Sequence, residues 1–149
     1  MKNLFDPADN RQMIDRINTL SADTKPEWGK MTVSQMLAHS QTPLDVALGE
    51  KTFKGGLMAL VFGKMAKKQM VSPAPFKRNL PTAKSFIVKG EKNFEEEKQR
   101  LTELVHRFGE ADKEEIAARP HPFFGKLTPD EWNTLQWKHL DHHLRQFGA

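Results

Sequence analysis

The chain has 149 residues, 38% of them hydrophobic and none of them cysteine, and a formal net charge of +4. This length supports one hydrophobic core rather than two independent ones, so a single domain over residues 1–149 is expected. Without cysteine there is no disulfide, no cysteine nucleophile and no thiolate ligand, and any bound metal must be held by nitrogen and oxygen.

The amino-terminal run MKNLFDPADNRQ has no apolar signal-peptide core. Asp6 or Asp9 can cap a first helix running to about Leu20, in which Met13, Ile14, Ile17 and Leu20 recur at helical spacing. Thr32 and Gln35 then form a capping box for a second helix with an apolar stripe of Val33, Met36, Leu37, Ser40, Leu44, Ala47 and Leu48. His39 lies beside that stripe. Pro43, four residues on, offers no N–H to the His39 carbonyl and should kink or end the helix. Asp45 is out of phase with the stripe and is left outside the candidate site.

From Lys51 to Gly90 there are nine lysines or arginines and no aspartate or glutamate, which leaves the rest of the chain net acidic. Gly55 and Gly56 precede LMALVFGKMAKKQM, which reads as a short amphipathic helix, and VSPAPFKRNLPTAKSF as a proline-broken extended loop. The apolar patch LMALVF is too short to span a membrane. The basic segment could be a lid that draws in an anionic small-molecule substrate, a membrane or nucleic-acid surface, or a solvated face used in a homodimer. It has no motif or interleaved aromatic platform for reading bases, which argues against nucleic acid.

A further helix is expected from about Lys92 to Phe108, with Gly109 as its stop and Glu95, Glu96 and Glu97 as a solvated first turn that complements the helix dipole. His106, on this helix, is given no ligand role. In ARPHPFFGKLTPDEW, Pro120 and Pro122 stiffen a loop that Phe123 and Phe124 can anchor, so His121 is a candidate to approach the open side of a metal.

The last helix has the clearest start: Thr128 as N-cap, Pro129 at the first helical position, then Asp130 and a capping-box Glu131. Trp132, Gln136, His139 and His143 fall on one stripe flanked by Leu135, Leu140, Gln146 and Phe147, while Thr134, Lys138, Asp141 and Arg145 form the expected water face. His142 lies at the edge of the buried face. Inward imidazoles need partners for both ring nitrogens. A metal bound by the i,i+4 pair His139 and His143, with His39 as third ligand, would supply one partner to each; hydrogen bonds donated to core carbonyls or carboxylates are the alternative.

The histidine of MLAHS followed by a closing H-x-x-x-H helix with Arg145 and Gln146 resembles the DinB-like (YfiT-like) superfamily, and HPFFGKLTPDEWNTLQWKHLDHHLRQFG resembles one of its branches especially closely. The likeness covers nearly the whole chain. It implies an all-α, up-down-down-up four-helix bundle, here with a basic insertion between the second and third bundle helices. It also implies a divalent metal, most often nickel or zinc, held by one histidine of the second helix and two of the last. Carried onto this chain, the ligands are His39, His139 and His143, with His142 and His121 left to steady a ligand or touch substrate. Many members read H-x-G-Q at the final ligand, where this chain has His143-Leu144-Arg145-Gln146. The resemblance further implies thiol S-transferase or related chemistry, with a low-molecular-weight thiol as cosubstrate because the chain has no cysteine. A metal-dependent hydrolase and a non-catalytic helical module for ligand binding or dimerisation are the alternatives. A cytoplasmic location is expected.

Overall fold

In the computed structural model the described residues are 2–54 and 57–149, with residues 57–62 described as backbone only. The Gly55-Gly56 reading and the apolar face assigned to residues 57–62 lie outside the described residues. Six α-helices are present: α1 (Pro7–Asn18), α2 (Val33–Ala47), α3 (Leu57–Met70), α4 (Phe94–Glu110), α5 (Lys113–Ala118) and α6 (Pro129–Gln146). A 3-10 turn spans Lys84–Phe86, and there is no strand among the described residues. No helix among them is long and apolar enough to cross a membrane.

Helix starts follow from side chains that satisfy the free N–H groups of the first turn. Asp6, not Asp9, caps α1 by accepting from the amides of Ala8 and Asp9. Reciprocal capping boxes close at Thr32/Gln35 on α2 and at Thr128/Glu131 on α6. Asn93 caps α4, placing Glu95, Glu96 and Glu97 in its first turn.

Of the two expectations for Pro43, the helix end is excluded, and the end expected at Gly109 is corrected. Helix α2 continues through Pro43 to Ala47. The missing N–H forgoes one hydrogen bond, but the turn beyond it is held by burial of Leu44, Val46 and Ala47 and by ion pairs from the wholly buried Asp45 to Arg100 and Lys51, both at 2.9 Å. Gly109 does not stop α4; it lies inside the helix. A Cβ there would come within 2.8 Å of the Leu4 carbonyl, so this glycine serves the close approach of the amino-terminal segment.

Helices α1 and α2 each pack against both α4 and α6, and α5 packs on α6. Met13 and Ile17, Met36, Leu37 and Leu44, Leu101, Leu104 and Phe108, and Trp132, Leu140 and Leu144 meet in one buried cluster. Buried amides fix the packing at its ends: Asn10 donates to the carbonyls of Leu4 (2.9 Å) and Val105 (2.8 Å), and Asn133 accepts from the Leu4 amide at 2.7 Å. Packing of α2 against α6 brings the histidine-bearing faces of both helices together.

Candidate metal centre

His39 on α2 and His139 and His143 on α6 each place a ring nitrogen within 4.8 Å of the other two. His39 Nε2 and His139 Nε2 are 3.1 Å apart. His39 and His143 are buried; His139 is half-buried, with its Nδ1 sealed from solvent.

The hydrogen bonds around the cluster decide which nitrogen each ring offers. His39 Nδ1 is 2.8 Å from the carbonyl oxygen of Phe86. A carbonyl can only accept, so this nitrogen carries the proton and Nε2 keeps its lone pair. At His143 the same result is reached in two steps. The Gln146 amide donates through Nε2 to the Trp28 carbonyl at 2.7 Å, which turns its Oε1 toward His143 Nδ1 at 2.9 Å. His143 Nδ1 therefore donates, and its Nε2 is free. An oxygen acceptor behind the ring is the arrangement that orients metal-binding histidines. His139 has no such acceptor, since its buried Nδ1 has no hydrogen-bond partner. With no ion bound, it can donate from Nε2 to His39 Nε2.

Burial lowers the pKa of all three rings. His39 is lowered by desolvation, partly offset by Phe86. His139 is held well below the usual histidine range by desolvation and by the neighbouring imidazoles, and His143 is lowered to about 3, again mainly by desolvation. All three are neutral at pH 7, as metal ligation requires. The donor set is all nitrogen and suits zinc and nickel among other divalent ions. The residues present fit such an ion.

The basic segment is built into this site. It supplies Phe86, and it is tied to α6 by Lys138, which was expected on the water face. Lys138 is in fact buried: the end of α3 and the turn after it lie against it, and the ammonium donates to the carbonyls of Met70 (2.9 Å) and Ser72 (2.8 Å). One residue before His139 on α6, the cost of covering a lysine is met by capping the end of a neighbouring helix.

His142 is half-buried, its ring edge-on to Trp28 (5.8 Å) and 5.1 Å from the ring of His143. It lines a cleft of about 470 Å³ shared with Trp28, Phe76 and Arg78. His121 sits elsewhere, in the turn before α6. Its Nδ1 accepts from the amides of Phe123 (3.1 Å) and Phe124 (3.2 Å), its ring stacks on Phe124 at 4.4 Å, and it lines a different cavity of about 640 Å³. His106 is exposed beside Glu110. Sequence reasoning missed Phe86, Trp28 and Lys138. Only Gln146 left a signal, as a polar residue on the inward side of α6, three residues after His143.

A family model described as "Protein of unknown function (DUF1569)" matches residues 5–149. No curated protein and no solved structure matches the chain.

Proposed function

The chain belongs to the DUF1569 family, and we propose that it is a single-domain DinB-like metalloprotein in which His39, His139 and His143 hold a divalent ion, zinc or nickel. The observation that carries this reading is the convergence of three neutral imidazoles, two of them with Nδ1–H committed to an oxygen acceptor. The mutual packing of α1, α2, α4 and α6 supports the four-helix part of it.

When bound, an ion held by three neutral ligands keeps its full charge and an open position, and so acidifies a thiol or water that reaches it. The reaction we favour is transfer of a small thiol to a small-molecule electrophile, with hydrolysis as the other use of the same site. The chain's own part is to orient and to exclude. Phe86 and Gln146 fix two rings, and Trp28 and Phe76 wall the approach. The His142 imidazole, which makes no hydrogen bond among the described residues and lies against Trp28 and Phe76, would take up the substrate proton in this reading.

The test is metal content after incubation of the chelator-treated protein with zinc or nickel. Uptake of about one ion per chain, lost in His39→Ala and in His139→Ala/His143→Ala variants of unchanged helicity, is expected. A His39→Ala protein that still loads fully would remove His39 from the ligand set. A second reading, a non-catalytic ligand-binding module, is favoured by the His139–His39 hydrogen bond, which holds the cluster together without an ion. It requires that the folded wild type takes up no metal.

A further inference from the structure

The cleft beside the histidine cluster has a volume of about 470 Å³, within the range of small-molecule sites. Its apolar walls are Trp28, Pro75 and Phe76, and charged groups of both signs line it. Most of those charges are already committed. The Lys138 ammonium is spent on the carbonyls of Met70 and Ser72 and faces the Phe76 ring. Asp141 is paired with Arg16 at 2.8 Å and lies 3.6 Å from Arg145.

Arg78 is different. Its guanidinium lies over the Trp28 ring at 4.1 Å, and it forms no ion pair with any carboxylate among the described residues. Stacking on the indole fixes the plane of the fork while leaving its edge N–H donors unused, and that edge matches a carboxylate in bidentate geometry. Glu27, on the same rim, also has no ion-pair partner among the described residues. Its charge opposes a ligand carrying two negative charges, such as a phosphate monoester, and tolerates one carrying a single charge.

We infer that this cleft binds a small organic monocarboxylate, with its carboxylate on the edge of Arg78 and its apolar body between Trp28 and Phe76. His142 also lines the cleft, edge-on to Trp28, and its ring abuts that of the candidate ligand His143. A molecule seated here therefore lies against His142, one ring away from His143. That it is the substrate of that cluster rests on the function proposed above; that it binds the cleft does not.

The experiment follows binding of phenylacetate, of its uncharged analogue phenylacetamide and of phenylphosphonate by calorimetry, on metal-free and on zinc-treated protein. Phenylacetate is expected to bind about tenfold or more tightly than phenylacetamide, the size of one charge-assisted contact. Arg78→Gln should abolish that preference, and Lys77→Gln, one residue away, should preserve it. Equal affinities overturn the inference, as does a preference that survives Arg78→Gln or is lost equally in Lys77→Gln. Absence of saturable phenylacetate binding, or tighter binding of phenylphosphonate, overturns it too. Arg78-dependent binding to a protein that takes up no metal would sink the metalloprotein reading alone. Metal uptake without phenylacetate binding would sink this one alone.

Discussion

His143 offers Nε2 to the cluster only because Gln146 holds its Nδ1–H, and Gln146 is set in turn by the Trp28 carbonyl. That contact depends on the next residue, Gly29. It has φ +81°, a conformation that favours glycine, and a Cβ there would stand 2.6 Å from Gln146 Nε2 and push that amide off the Trp28 carbonyl. Gln146→Leu keeps the bulk and removes the acceptor. The His143 Nδ1–H and the Trp28 carbonyl then lose their partners, and zinc affinity should fall about 10–100-fold, with metal-free stability lower by about 1–3 kcal/mol. Competition with a chromophoric chelator and thermal melting read the two effects separately. Unchanged affinity in a folded variant would show that Gln146 does not orient the ring. His139 and His143 were legible at this scale, because helical phase puts both on the inward stripe of α6; His39 lies beside the stripe of α2 and was singled out by the family resemblance rather than by phase. The groups behind them were legible only in part. Gln146 is a side chain at a readable spacing, whereas the Phe86 carbonyl has no side-chain signature and is brought to His39 by a long connection whose path no local pattern encodes.

Helix starts were the most readable elements, because a cap is a local matter of a few residues: Asp6, Thr32 and Thr128 all cap where their side chains suggest. The errors came where a neighbouring element decides. Gly109 could end a helix or admit a close neighbour, and only the amino-terminal segment against it shows which. Lys138 is outward by the phase of α6 alone, yet the end of α3 and the turn after it meet that side chain. The consequence is a latch. Lys138 is the polar tie between α6 and the end of α3, and Lys67 adds a second tie to Glu131 at 2.9 Å, more exposed and therefore weaker. Lys138→Met retains the aliphatic stem but leaves the Met70 and Ser72 carbonyls without their donor. A loss of about 1.4 kcal/mol in local stability should speed tryptic cleavage of the basic segment about tenfold, with the global melt changed much less. Cleavage at the wild-type rate would mean that Lys138 does not hold the segment down.

Across the whole molecule, five histidines are lowered in pKa chiefly by burial: the three of the cluster, His142 beside it, and His121 in the turn before α6. The unfolded chain takes up protons on these rings below about 6.5, while the folded protein resists: His121 until about 4 and His143 until about 3. Between those values the unfolded state binds more protons, so stability must fall as pH falls through the window and be flat above it as far as these groups are concerned. His121 lets one contribution be isolated away from the candidate ligands. Its Nδ1 accepts two backbone N–H groups, and protonation would set a third positive hydrogen against them. Asn at this position offers Oδ1 to the same amides and does not titrate. In the metal-free protein, His121→Asn should reduce the stability gained between pH 4 and 6.5 by up to about 3 kcal/mol. Above pH 7 any difference between the two proteins should no longer vary with pH. Chemical denaturation at a series of pH values measures this directly. If the wild-type and variant curves run parallel across the window, His121 is not a buried neutral ring and the acid sensitivity belongs to the cluster alone. If the wild type loses more stability than the variant as the pH falls, the turn before α6 and the three-histidine cluster are separate acid-labile points of one fold. Metal loading should then protect only the second, by holding its imidazoles deprotonated.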